Sequence, residues 1–165
     1  MRRDAFTLIE TMLAVLLLAV LASGVAIGFS RPLHLARADD AVNVVKAFDA
    51  AARQAAINFD KPVRMSFDLA DGTLTRWEDE SAAARVRLPS GYRIERTKID
   101  GRTDSVGLVP VDVSPQGRSR TYAVHLIGPS LDRWIVFAGL TGLTTERANE
   151  SDLPAGPRSA RHDAD

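Results

Sequence analysis

Residues 1–30 read MRRDAFTLIETMLAVLLLAVLASGVAIGFS, an apolar N-terminus unlike the rest of the chain. Apolar residues fill 18 of the 24 positions from Phe6 to Phe29, and the 20 residues from Thr11 to Ser30 carry no charge. At about 1.5 Å per residue, that uncharged run makes a helix about 30 Å long, which matches the hydrocarbon thickness of a bilayer. Because Arg2 and Arg3 precede the run, we expect a cytoplasmic N-terminus, a single membrane pass and an exported body.

The rest of the chain, residues 31–165, is charge-rich but balanced, with 19 basic and 19 acidic residues. The full chain of 165 residues has no net charge and no cysteine. Zero net charge argues against a protein that coats nucleic acid or anionic lipid by bulk electrostatics. The lack of cysteine excludes disulfide frameworks, thiolate zinc sites and iron–sulfur clusters, and we expect no cofactor.

Glu10 is the charge that interrupts the apolar run. Insertion scales assign a carboxylate at mid-bilayer about 2.5 to 3.5 kcal/mol, so Glu10 needs either a partner or a position near the interface. One alternative is a Glu10 that snorkels to the cytoplasmic headgroups. Another is an ordinary signal peptide cut near Ala22-Ser23-Gly24, although its basic region would be only five residues long and it would gain nothing from Glu10.

A helical pattern continues beyond the apolar run. Apolar residues recur at spacings of 3 and 4, as expected for one buried helix face, at Ala38, Ala41, Val45, Phe48, Ala52, Ala55 and Phe59. Asp49 and Arg53 form a favourable i,i+4 pair that we place away from this stripe. We therefore predict one long helix from Phe6 to about Asn58, interrupted near Pro32.

The segment from Val63 to Thr145 predicts a small antiparallel sheet. Alternating or apolar runs separated by turn residues mark the strand candidates Val63–Leu69, Thr73–Trp77, Tyr92–Glu95, Val106–Val113, Thr121–Ile127 and Trp134–Ala138. Such a sheet is too small to bury a core alone, so we expect the second half of the helix to cover it, which gives an α+β fold. Glu146–Asp165 has one large apolar residue, Leu153, and is predicted to be disordered.

The N-terminus also carries a family resemblance. The leader RRDA at 2–5, the segment FTLIE at 6–10 and the apolar run together resemble the class III signal of type IV prepilins and type II secretion pseudopilins. The resemblance implies cleavage between Ala5 and Phe6 by a prepilin peptidase and methylation of the Phe6 amine. The family usually has Gly before the cut, and Ala5 is a small residue that should fit the same pocket.

The resemblance also implies a pilin-like organisation. The leader 1–5 would be removed, 6–30 would be the transmembrane and assembly helix, and 31–145 would be the exported domain, whose helix packs on the sheet. Glu10 would pair with the N-terminal amine of a neighbouring subunit and so act as an assembly residue. The expected partners are the prepilin peptidase, other pilins or pseudopilins, and an inner-membrane assembly platform.

The C-terminal part is similar to the end of one branch of this family. DVSPQGRS at 112–119, WIVF at 134–137 and TGL at 141–143 resemble the last hairpin of H-type minor pseudopilins and FimT-like minor pilins. We therefore expect a minor pseudopilin of type II secretion, a structural protein and not an enzyme. The alternatives are a FimT-like minor type IV pilin that binds DNA, and an exported binding domain or enzyme on a signal anchor.

No catalytic or metal constellation stands out in the sequence. His34, His125 and His162 have no carboxylate or second histidine at ligand spacing, and the acidic run 78–80 is a weak calcium candidate. A basic segment offers Arg93, Arg96 and Lys98 as possible nucleic-acid contacts, and FimT-like pilins are known to bind DNA through basic surfaces. Acidic residues interleave with these cations, however, so we expect a solvated surface that neutralises itself and no nucleic-acid partner.

Overall fold

The structure, a computed structural model, describes residues 8–78 and 81–153, and within the helix it describes the side chains of residues 10–19 and 36–59. The chain forms two compact units, Met1–Ala36 and Arg37–Asp165. One helix, α1, runs from Leu8 to Phe59. Over the described residues, no helical stretch is both long enough and apolar enough to cross a membrane.

Helix α1 is assigned without a break through Pro32, so the interruption predicted there is wrong. A proline removes a single backbone donor, and the turns on either side keep theirs. The helix ends as a Schellman motif. Asp60 takes a left-handed conformation with φ of 50°, and the amide of Lys61 donates to the carbonyl of Ala56 at 3.2 Å.

Residues 63–78 and 81–147 form nine strands in two antiparallel sheets. The strands are β1 Val63–Asp68, β2 Thr73–Glu78, β3 Ser81–Arg87, β4 Arg93–Ile99, β5 Arg102–Asp104, β6 Leu108–Val113, β7 Tyr122–Gly128, β8 Leu131–Phe137 and β9 Thr144–Arg147. The first sheet has the order β3-β2-β1-β6 and the second the order β5-β4-β7-β8-β9. The sequence analysis predicted a single antiparallel sheet, whereas the structure has two.

The sequence pattern does not predict three of the strands, β3, β5 and β9, and each omission has a physical reason. Both faces of β3 are largely exposed, so its residues do not alternate between apolar and polar. β5 has only three residues, and β9 contains no apolar residue, as its sequence TTER shows. Each of these strands lies at the edge of a sheet, where backbone pairing on one side suffices.

The second half of α1 covers the sheets and completes one core, as predicted. Six of the seven stripe residues are buried, whereas Phe59, at the end of the helix, is 62% exposed. Phe48 contacts Phe67 of β1 edge to face, with ring centroids 6.3 Å apart, and Tyr122 of β7 stacks on Phe137 of β8 at 4.7 Å. An aromatic layer thus joins the helix to both sheets.

The disorder predicted from Glu146 onward is wrong for its first eight residues. Glu146 and Arg147 belong to β9, a 3₁₀ helix spans Glu150–Asp152, and Leu153 packs on the outer face of the second sheet. Residues 154–165 lie outside the described residues. Composition misses the ordered part because ion pairs of Glu146 and Glu150, more than apolar burial, attach it to the domain.

Glu146 provides a pH-dependent test of this attachment. It accepts hydrogen bonds from Lys46 of α1 and Arg133 of β8, which hold the pKa of its carboxyl below the ordinary value of 4.5. A depressed pKa in the folded state stabilises the fold above the unfolded value, and that stability is lost as the pH falls through the folded value. We expect Glu146→Gln to lower the free energy of unfolding at neutral pH by about 0.5 to 1 kcal/mol, because the pair is partly solvated.

The measurement is urea unfolding of the full chain in detergent, at neutral pH and well below 4.5. Wild type and Glu146→Gln should differ at neutral pH and converge in acid. An equal difference at both pH values would mean that the carboxylate charge of Glu146 does not stabilise the fold.

Candidate functional site

The residues predicted for processing and assembly lie at the start of the chain. Ala5 and Phe6 are outside the described residues. Glu10 lies in the first turn of α1, and its side chain is exposed in the isolated subunit. In this subunit Glu10 is therefore free to meet a partner from another chain.

The described side chains that follow Glu10 form an apolar surface. Six large apolar residues are each more than half exposed: Met12, Leu13, Val15, Leu16, Leu17 and Leu18. A contiguous patch of exposed apolar side chains marks a surface that contacts another protein or lipid. The first unit thus presents a surface that needs lipid or other helices to cover it.

In the second unit, a buried polar network joins α1 to β7 and to two loops. Arg53 and Asp49 are 8% and 2% exposed, and the Arg53 Nε donates to the Asp49 Oδ2 at 2.7 Å. The Tyr122 hydroxyl donates to the other carboxylate oxygen of Asp49 at 2.8 Å. Burial, and then the charge of Asp49, raise the pKa of the Tyr122 phenol well above its ordinary value, so it remains a neutral donor.

Arg53 also binds the two loops that the sequence pattern singled out. Its Nη1 donates to the carbonyls of Gly117 and Gly139 at 2.9 and 3.0 Å, and its Nη2 donates to the Ser119 hydroxyl at 3.0 Å. A Cβ on Gly139 would lie 2.2 Å from the carbonyl oxygen of Ser119, and Gly117 has a φ of 72°. The glycines of these turns therefore allow the loops to approach each other and the guanidinium.

The position of Arg53 corrects the sequence interpretation. The i,i+4 pair with Asp49 is present, but the pair faces the core and not the solvent. The alanines at positions 52 and 56 of the same helix could have indicated that Arg53 is buried, because both are themselves buried. The network fastens the second half of α1 to the loop between β6 and β7 and to the loop between β8 and β9.

The residues considered for nucleic acid all lie on β4, but they do not form a free basic surface. Arg93 is exposed, whereas Arg96 and Lys98 both pair with Glu150, at 3.1 and 3.3 Å. Glu150 comes from the segment that the sequence predicted to be disordered. Two of the three cations are thus already bound to a carboxylate of the same chain.

The structure places the remaining candidates as follows. Asp79 and Glu80 of the acidic run lie outside the described residues. Within the described part of the chain, no group of three histidines and carboxylates is arranged to hold a metal ion. His125, in contrast, does have carboxylate neighbours, Glu95 and Asp132, which the linear spacing does not reveal because they come from adjacent strands.

The first 26 residues match the family model of the prokaryotic N-terminal methylation motif. No curated protein matches the chain in sequence. Two structures of the minor pseudopilin EpsH, from the type 2 secretion system of Vibrio cholerae, resemble the fold, with TM-scores of 0.52 and 0.51 at 11% and 10% identity. Each alignment covers 68% of this chain and 96% of EpsH.

The type IV minor pilin FimU of Pseudomonas aeruginosa is also similar, with a TM-score of 0.47 and 13% identity over 72% of this chain and 93% of FimU. At sequence identities this low, the similarity to EpsH is evidence for the fold alone. The chain thus combines the prokaryotic N-terminal methylation motif over residues 1–26 with an α+β fold similar to that of the minor pseudopilin EpsH.

Proposed function

We propose that this chain is a minor pseudopilin of a type II secretion pseudopilus. Prepilin peptidase removes residues 1–5 and methylates Phe6, and the apolar helix holds the subunit in the inner membrane with its body in the periplasm. Assembly moves that helix from lipid into a bundle of like helices on the inner-membrane platform. Glu10 then pairs with the N-terminal amine of a neighbouring subunit.

The observation that carries this proposal is the methylation motif over residues 1–26. In the sequence, that motif includes Glu10 and the start of the uncharged run from Thr11 to Ser30. The exposed apolar side chains from Met12 to Leu18 supply the surface that lipid or a helix bundle would cover. Within the second unit, the Arg53 network fastens the second half of α1 to the loops that contain Gly117 and Gly139.

The fold is similar to that of the minor pseudopilin EpsH, with a TM-score of 0.52. One set of contacts in this chain also argues against DNA uptake. Glu150 binds Arg96 and Lys98, which leaves little free cation density on β4 for a phosphate backbone. These contacts fit a subunit that builds a filament better than they fit a DNA receptor.

Deleting the gene from the source bacterium tests the choice of system. We expect folded proteins destined for the medium to accumulate in the periplasm, while surface pili and DNA uptake remain normal, and we expect the wild-type gene to restore export. Normal export together with lost pili or lost DNA uptake would contradict the assignment to secretion.

A further inference from the structure

The outer face of the first sheet is open to solvent. On its inner face, Met65, Phe67 and Leu74 point into the core that α1 covers. The alternate residues of the same strands point to the opposite side, because successive side chains of a strand lie on opposite faces. The side chains exposed along this outer face include Arg64, Arg85, Arg87, Leu108, Pro110 and Asp112. This face therefore offers side chains of four strands to a partner.

The centre of this outer face is a floor of small hydroxyl side chains beside an aromatic ring. Ser66 of β1 lies directly opposite Thr75 of β2, and each is 6% exposed. Trp77 comes two residues after Thr75 and so lies on the same face. Its Nε1 donates to the Ser66 Oγ at 3.0 Å, which holds the partly exposed indole in place. The ring thus borders a shallow floor.

Two arginines of β3 lie along one side of this floor. Arg85 lies opposite Thr75. Arg87 lies opposite Thr73, so the two arginines share the outer face and are about 7 Å apart along the strand. Within the described residues, Arg85 forms no hydrogen bond or ion pair, and Arg87 donates only to the backbone carbonyl of Asp71, at 3.4 Å. Both guanidinium groups thus keep free donors for a ligand.

The carboxylates on or beside this face already have other partners. Asp71, in the turn between β1 and β2, accepts a hydrogen bond from the Thr73 amide at 2.8 Å. A hydrogen bond from the Thr73 hydroxyl, and to a smaller extent the charges of the two arginines, hold the pKa of the Asp71 carboxyl below its ordinary value of 3.8. Asp112 pairs with Arg64 at 2.7 Å, and Asp68 accepts a backbone amide at 2.9 Å. None of these described carboxylates bridges the two arginines of β3, so a bridging group would have to come from a ligand.

The second sheet shows what covers a face of this composition. Its outer face carries Arg96 and Lys98, two residues apart on β4, and the indole of Trp134 on β8. A short segment that we call the C-terminal strap, residues 149–153, packs on these side chains. The Oε2 of Glu150 accepts a hydrogen bond from the Arg96 Nη1 at 3.1 Å, and its Oε1 accepts one from the Lys98 Nζ at 3.3 Å. One carboxylate of the strap thus spans two cations at alternate positions of a strand.

The strap also covers the aromatic ring of the second sheet. Leu153, three residues after Glu150, packs on Trp134 and its apolar neighbours. The first sheet repeats this combination of alternating cations and an indole. Trp77 lies on the strand next to the arginines of β3, whereas Trp134 lies two strands from β4, so a segment of the same length can reach both groups. The strap itself is bound to the second sheet, and a segment that covers the first sheet must therefore come from another protein.

We propose that the outer face of the first sheet is the docking surface for an acidic segment of a partner protein. A carboxylate of that segment spans Arg85 and Arg87, and an apolar side chain three residues later packs on Trp77. Hydrogen bonds between a guanidinium and a carboxylate are charge-assisted and about twice as strong as neutral ones. Contact with the indole removes apolar surface from water and fixes the orientation of the segment. This contact is separate from the helix bundle of the proposed function, because it lies on the sheet domain.

A peptide with the sequence of the strap tests this surface. The probe is ANESDL, residues 148–153, with fluorescein at its N-terminus and an amide at its C-terminus. Its fluorescence anisotropy is measured against the full chain in non-ionic detergent at low ionic strength, where exposed charges are least screened. We expect saturable binding that Arg85→Glu weakens at least about tenfold, as for the loss of a hydrogen bond between charged groups. Arg93→Glu, the same change at an exposed position of the second sheet, should leave the affinity unchanged.

Changes in the peptide test the two contacts separately. Glu150→Gln in the peptide should weaken binding about tenfold, because the bridging charge is lost. Leu153→Ala should weaken it about fivefold, because less apolar surface is removed from water. Asp152→Asn removes the same charge as Glu150→Gln from a neighbouring position, and this peptide should bind as the unchanged one does.

Three outcomes would overturn the proposal. The first is a peptide that shows no saturable binding to the wild-type chain. The second is binding that survives Arg85→Glu, or that Arg93→Glu weakens equally, since either result would place the peptide elsewhere or make its attraction a matter of overall charge. The third is displacement of the peptide by a short single-stranded oligonucleotide at equal concentration, which would mean that the surface binds polyanions of any kind.

Discussion

Replacing Arg53 with alanine is expected to lower the free energy of unfolding by about 3 to 5 kcal/mol, the effect of removing one partner of a buried ion pair. The change leaves the carboxylate of Asp49 buried with Tyr122 as its remaining hydrogen-bond donor. It also leaves the carbonyls of Gly117 and Gly139 without the donor that holds their loops against α1. Urea unfolding of the full chain in detergent, followed by circular dichroism, measures the loss.

Arg64→Ala is the matched control for Arg53→Ala. Arg64 pairs with Asp112 at the same 2.7 Å, but both side chains are more than 60% exposed. An exposed pair contributes about 0 to 1 kcal/mol, so this variant should unfold almost as wild type does. Equal losses in the two variants would show that burial of the Arg53 network does not stabilise the domain.

Replacing Glu10 with alanine is expected to reduce incorporation into filaments at least about a hundredfold, without changing the stability of the isolated subunit. In the subunit Glu10 is exposed, so its removal leaves no group unpaired. In the proposed bundle its loss leaves a neighbouring N-terminal amine buried without a counter-charge, which costs about 3 to 5 kcal/mol. The measurement is the amount of the chain in sheared filaments relative to the amount in membranes.

Asp40→Ala serves as the control for Glu10→Ala, because Asp40 is an exposed acidic residue of the same helix. It should enter filaments at the wild-type level. Normal incorporation of Glu10→Ala would rule out the role of Glu10 in pairing subunits, while leaving peptidase processing as a separate question.

The second half of α1 is predictable because its signal is redundant. Ala38, Val45 and Phe48 repeat at helical spacing, and the strands that follow need a cover. The division into two sheets is not predictable in this way, since it depends on which strand edges pair. The short strand β5, for example, follows the two-residue turn Asp100-Gly101, in which both residues have positive φ. An Asp-Gly pair is typical of a hairpin turn, but here it lies in a charged segment without the alternating apolar residues that indicate strands.

The buried polar site depends on contacts that are remote in sequence. Arg53 binds Gly117 and Gly139, which follow it in the sequence by 64 and 86 positions. Its role therefore depends on the turns that bring these two glycines together. His125 likewise meets Glu95 and Asp132 only after three strands have paired. Linear spacing finds sites on one helix face, such as Asp49 with Arg53, but not sites assembled across strands.

The N-terminus of the mature protein tests the central claim most directly. Mass spectrometry of the chain purified from membranes of its source bacterium should yield a first peptide that begins at Phe6 and carries one methyl group on its amine. In a strain without prepilin peptidase, the same chain should retain Met1 to Ala5, apart from removal of the initiator methionine. A wild-type peptide that begins at the initiator end, or one that begins after Gly24, would contradict the account.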